Sequence, residues 1–176
     1  MASHPTPTPE EVGHVIAIAL ARADYLSPSP QNELLDAAAV SAEAILGERL
    51  LLCISAVESG IRSVAPNPSL AVRMLSSMNA FFVQNQAMPS IAYVLREMHS
   101  TANYYAEAAR DDSTLGVVLP REFSQVELAL FDRLMKLGIE TESRARACMK
   151  LSVGANDMWQ VHWKLAMERF NAWRPA

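Results

Sequence analysis

Glycine is scarce in this chain, at 6 of 176 residues, and Ala, Leu and Met are plentiful. A sheet protein with many tight turns is thereby disfavoured. Ala and straight-chain residues lose little freedom in a helix, so the composition points to helices. Positive charge is also in short supply: Lys and Arg number 15 against 19 for Asp and Glu, a net charge of −4. No Lys/Arg run exists, so the electrostatic footprint of a nucleic-acid binder is missing. The polybasic segment that draws a protein to an anionic membrane is missing too. The two cysteines, Cys53 and Cys148, do not make a disulfide framework. They read as buried free thiols in a reducing compartment, which gives a cytoplasmic expectation. No apolar run approaches the roughly 18 residues of a membrane-spanning helix, and Val15 to Ala21 falls far short. Met1 to Pro9 is polar and Pro-rich, without the basic start and apolar run of a secretory signal.

Signatures of chemistry are equally thin. The histidines are His4, His14, His99 and His162, and no two of them stand at helical metal-site spacing. Glu97 and His99 lie two apart, on different sides of a helix. No Gly-x-Ser-x-Gly elbow, Gly-rich phosphate loop or dinucleotide fingerprint is present. The residues name no catalytic group, no metal and no cofactor.

What the chain does contain is helical periodicity. Hydrophobic residues make up 51% and charged residues 19%, a composition that can fill a core. Residues 1–7 read as a disordered tail, although Pro5-Thr6-Pro7-Thr8-Pro9 also has the pattern of a polyproline ligand. Thr8, Pro9 and Glu11 form a capping box that opens a first helix, with Val12, Val15, Ile16 and Ala19 on one face. Ser27-Pro28-Ser29-Pro30 stops it. A second helix runs from Gln31 to about Val64, with Gly47 as a candidate kink. The stretch Asn67 to Arg110 is the longest periodic one and is expected to organise the rest. It starts at Asn67-Pro68, and Pro89 ends or kinks it near Ala87. Asp111 to Arg121 is the best loop candidate. Ser124 and Glu127 form a second capping box. Glu140–Arg144 and Glu142–Arg146 read as ion pairs on a solvated helix face. Asn156 is expected to cap a last helix, whose stripe is Trp159, Trp163, Ala166, Met167 and Phe170, with Trp173 near its end.

One family resemblance follows from particular segments. Asn67-Pro68-Ser69-Leu70, Phe81-Phe82-Val83-Gln84-Asn85-Gln86, Tyr93 and Tyr104-Tyr105-Ala106-Glu107-Ala108-Ala109 resemble, in that order, the helical region of phasins. Those proteins coat polyhydroxyalkanoate granules in bacteria. Phe131-Asp132-Arg133-Leu134-Met135-Lys136-Leu137 is similar in style. The resemblance covers about a third of the chain, and Pro89 and the Trp-rich end depart from the family pattern. It implies a non-enzymatic protein whose amphipathic helices cover an apolar surface, often as a homo-oligomer.

The expectation is therefore an all-α antiparallel bundle of five to seven helices, in a single domain over residues 8–176. The expected function is interaction with a protein partner or an apolar granule surface. The candidate interaction residues are Phe81, Phe82, Trp159, Trp163 and Trp173, since exposed aromatics anchor interfaces. The competing reading is a small-molecule-binding or enzymatic bundle with a pocket between helices.

Overall fold

The computed structural model describes residues 6–22, 32–101, 103–114 and 123–173. Among them it is all-α, with nine helices. These are α1 (Pro9–Ala21), α2 (Asn32–Ala38), α3 (Ala42–Val64), α4 (Pro68–Gln84), α5 (Pro89–Thr101), α6 (Tyr104–Thr114), α7 (Gln125–Met135), α8 (Glu142–Ser152) and α9 (Ala155–Trp173). The number exceeds the expected five to seven because two long periodic stretches are each divided. Residues 1–5 of the expected tail, the Ser27–Pro30 stop and most of the expected loop (residues 115–121) lie outside the described residues.

The starts of the helices follow from their caps. Thr8 accepts a hydrogen bond from the Glu11 N–H at 3.2 Å, and Glu11 accepts one from the Thr8 N–H at 2.7 Å. Ser124 and Glu127 repeat this box at α7, at 3.1 and 2.9 Å. Asn67 caps α4 by accepting from the Ser69 N–H at 2.8 Å, with Pro68 in the first turn. Each side chain satisfies a backbone donor that a helix start leaves unpaired.

The expected break at Pro89 is present, and the others sit elsewhere. The stretch before Val64 divides not at Gly47 but at Ala39, whose φ of 49° is left-handed, and Ser41 caps the new helix. Gly47 lies inside α3. The stretch from Asn67 divides twice: α4 stops at Gln84, Pro89 opens α5, and α6 begins at Tyr104. Asp111 to Thr114, expected in a loop, complete α6. Asn156 does not cap the last helix; it lies within α9, which begins at Ala155.

The organising element is α3 rather than the stretch from Asn67 to Arg110. Leu50, Leu51, Leu52, Cys53 and Ile54 are consecutive and all buried. Five successive helical positions sweep more than a full turn, so α3 is covered on every side. Helices α9 and α5 are its main neighbours, and α6 also reaches it. Helix α7 joins α6, α8 and α9, and α8 carries α2. Helices α1 and α4 pack mainly on each other.

Two glycines set how closely α3 is approached. A Cβ on Gly47 would lie 2.3 Å from the Tyr93 ring of α5, and one on Gly60 would lie 2.7 Å from the Trp163 carbonyl oxygen of α9. Both distances are shorter than real contacts allow, so these crossings need glycine.

Candidate functional site

The core of the described residues contains one elaborate polar cluster, centred on Glu48. The spacing Ile45, Glu48, Leu52 puts this carboxylate on the buried side of α3, and the side chain has no solvent exposure. Gly47, next to it, leaves the space into which the Tyr93 ring fits. Tyr93 of α5 donates to Glu48 Oε1 at 2.7 Å, and Tyr105 of α6 donates to Oε2 at 2.7 Å. Arg133 of α7 donates to Oε1 through Nε at 3.0 Å and Nη2 at 2.6 Å. The same Nη2 reaches Glu97 of α5 at 3.0 Å. Four helices meet at one carboxylate, and both of its oxygens are occupied.

The electrostatics follow from that closure. Burial raises the Tyr105 hydroxyl well above its usual range, with the Glu48 charge and hydrogen bond adding to it. Burial likewise raises Tyr93, followed by the hydrogen bond to Glu48. Arg133 is held in its charged form: burial works against that charge, but the bonds and charge of Glu48, with help from Glu97, outweigh it. The cluster therefore comprises neutral phenols and a firmly paired guanidinium. Glu48 has both oxygens taken inside the bundle, while Arg133 and Glu97 keep some contact with solvent.

A second buried cation lies at the α2–α7–α8 junction. Arg144 donates from Nε to the Ala38 carbonyl at 2.8 Å, from Nη1 to Met135 at 2.9 Å and from Nη2 to Leu134 at 2.5 Å. Those carbonyls end α2 and α7, where a helix has unpaired acceptors and a negative dipole end. The expected solvated pair Glu140–Arg144 is corrected accordingly: Arg144 is buried, and its guanidinium closes two helix ends. The other pair, Arg146–Glu142, forms on the exposed face of α8.

The five aromatic candidates divide by depth. Phe82 and Trp159 are buried in the core. Phe81, Trp163 and Trp173 are partly buried and pack against it. Phe81 sits edge-on to His14 of α1, with ring centroids 5.3 Å apart, and so joins α1 to α4. The fold does not gather the five into one exposed face. Among the described residues, the apolar side chains with large exposure are Val15 on α1, Val72 and Val83 on α4, and Met88, Leu137, Ile139, Val153, Val161 and Leu165 elsewhere.

Two grooves lie at the surface. One, of about 380 Å³ between α2 and α8, is lined by residues including Leu34, Glu142, Ser143, Arg146 and Lys150. The other, of about 220 Å³ between α6 and α7, is lined by residues including Tyr104, Glu107, Asp111 and Asp132. Both are open, whereas a small-molecule site encloses most of its ligand. Among the described residues, no group of three His, Cys, Asp or Glu side chains is placed to hold a metal ion. Also among them, no helix is long and apolar enough to cross a membrane.

Sequence reasoning passed over Glu48 and Arg133. The signal was present: each occupies a stripe position between apolar residues, Glu48 between Ile45 and Leu52, and Arg133 between Leu130 and Leu137. A charge in such a position needs an internal partner. Comparison with protein-family models, with curated proteins and with solved structures found no match to this chain.

Proposed function

We propose that this protein is a non-enzymatic helical interaction protein whose α1–α4 pair engages an apolar surface. A polyhydroxyalkanoate granule is the specific example, in keeping with the phasin-like segments. The observation that carries the reading is the composition of α1. Val12, Val15, Ile16, Ile18 and Ala19 spread apolar surface around this helix, and among the described residues its main cover is α4. Val15 is 64% exposed, and Val72 on α4 is 51% exposed. Val15 to Ala21 is apolar throughout, and a helical stretch apolar all round is normally buried, so cover from outside the chain suits it. The buried Glu48 carboxylate, by contrast, is fully paired and fits a role in holding the bundle together.

The test is co-sedimentation of the full chain with polyhydroxybutyrate granules, bare or already coated with an unrelated protein. Saturable binding to bare granules is expected, weakened at least tenfold in a Val15→Glu/Val72→Glu variant. Both positions are exposed, so far-ultraviolet circular dichroism should not change. A Trp159→Ala variant would damage the core instead, because Trp159 is buried there. If the helical wild-type chain does not bind bare granules, the granule reading fails. If the variant binds as well as wild type, the α1–α4 surface is not the contact.

A further inference from the structure

The Pro-Thr run before α1 meets the end of α9. The Trp173 indole N–H donates to the Pro7 carbonyl at 2.8 Å. Trp173 is held from behind by Phe170, edge to face, with centroids 5.6 Å apart, and Phe170 is buried in the core. Thr8, next in the chain, has φ −75° and ψ 159°, close to polyproline II values. The Thr8 carbonyl starts the α1 ladder by accepting from the Val12 N–H at 3.1 Å, while the Pro7 carbonyl, one residue earlier, accepts from the Trp173 indole. An aromatic ring with a polar N–H beside an extended Pro-containing strand is the chemistry by which polyproline segments are recognised. Here both halves belong to one chain.

The position of this contact gives it a consequence. Helices α1 and α4 pack mainly on each other and touch α3 and α5 over little surface. The other polar ties of α1 also run to α4: Glu10 pairs with Arg73 at 2.6 Å, and its carbonyl accepts from Ser77 at 2.8 Å. The Trp173–Pro7 bond instead fastens the start of α1 to α9, and through Phe170 to the main core.

We infer that Trp173 and the Pro7 segment form a latch that holds α1 in place, and that releasing it lets α1 lift, adding its buried apolar side chains, Ala17 and Leu20, to the face already exposed at Val15. The second half of this inference rests on the apolar-surface reading above; the first half does not. The latch predicts that the bundle withholds part of the apolar surface of α1 until the Pro7 segment is displaced.

Hydrogen–deuterium exchange on the full-length chain tests it. Trp173→Phe keeps an aromatic ring against Phe170 but removes the N–H donor. A separate Thr6→Gly/Pro7→Gly variant keeps Trp173 but loosens the strand, because glycine lacks the fixed φ of proline. Each variant is expected to speed amide exchange in α1 about fivefold, the factor set by losing one net hydrogen bond. Exchange in α3 should stay unchanged. Unaltered exchange in α1, or an equal rise in α1 and α3, overturns the latch. Granule binding by the same variants is expected to strengthen by a similar factor. A specific rise in α1 exchange without stronger binding leaves the latch standing and defeats the apolar-surface reading instead.

Discussion

A carboxylate sealed inside a helical bundle must find in its neighbours what water would have supplied. Glu48 finds two phenol donors and a guanidinium, and Arg133 in turn finds Glu97. Such a group is costly to orphan, and far less costly to replace together with its partner. Arg133→Met leaves the Glu48 charge inside the core with only the two tyrosine donors, and is expected to cost about 3–5 kcal/mol. Glu48→Leu is expected to cost less, because the Glu97 partner of Arg133 remains and both are partly solvated. The double variant should be more stable than the sum of the two losses by about 1–3 kcal/mol. Urea denaturation of the four proteins gives this cycle directly. Additive losses would mean that the two side chains do not act as one unit. The cluster was only half legible in the sequence. Charges at stripe positions mark Glu48 and Arg133 as in need of partners, but nothing local tells Tyr93 and Tyr105 apart from ordinary core aromatics. Their pairing with Glu48 spans more than forty residues of chain and is a product of topology.

At the scale of helices, legibility followed the range of the forces involved. The capping boxes at Thr8 and Ser124 and the Asn67-Pro68 start act within four residues, and all three formed as read. The division at Ala39, the separate start of α6 at Tyr104 and the burial of Arg144 are not shown by periodicity alone, whereas Pro89 marks the end of α4 to within a few residues. Glycine is the instructive case. Gly47 was read as a local weakness of its helix, yet α3 continues through it. The cost in propensity, about 1 kcal/mol per glycine, is offset by the close approach of a neighbouring element. That argument is testable at Gly60, where the obstacle is the backbone of α9. Alanine would gain about 1 kcal/mol of propensity. Its Cβ, however, would meet the Trp163 carbonyl oxygen at 2.7 Å, which forces the two helices apart. Overpacking of this kind costs about 1–3 kcal/mol, so Gly60→Ala is expected to lower stability by up to about 2 kcal/mol in thermal or urea unfolding. A stabilised variant would show that α9 can slide without loss and that α3 was not built for close crossing.

For the molecule as a whole, the same burial that closes the core fixes how stability responds to alkali. Burial pushes the Cys53 thiol up from an ordinary value of 9.0 to about 12, against the opposing charge of Arg49. Burial raises Cys148 too, with Arg144 opposing. Tyr93 and Tyr105 are raised by burial and by Glu48 from an ordinary value of 10.0. In each case the folded state holds its proton to higher pH than the unfolded chain does. Below pH 9 both states are protonated at these groups, so their stabilising contribution is complete. As pH climbs, the unfolded chain loses thiol protons first and phenol protons next, while the folded protein keeps them. The unfolded state then binds fewer protons, and stability must fall with rising pH. Each group contributes a slope of about 1.4 kcal/mol per pH unit once its unfolded form has ionised and until its folded form does. The urea midpoint is therefore expected to decline from about pH 9 and to steepen above pH 10, where the tyrosines join. Cys53→Ala should start from lower stability, because it leaves a small cavity, but should decline less steeply between pH 9 and 10. Urea titrations at half-unit pH steps would show both effects. A midpoint that is level from pH 8 to 10, or a Cys53→Ala slope equal to that of wild type, would mean that the core admits solvent to the thiol of α3 and is not sealed around that helix.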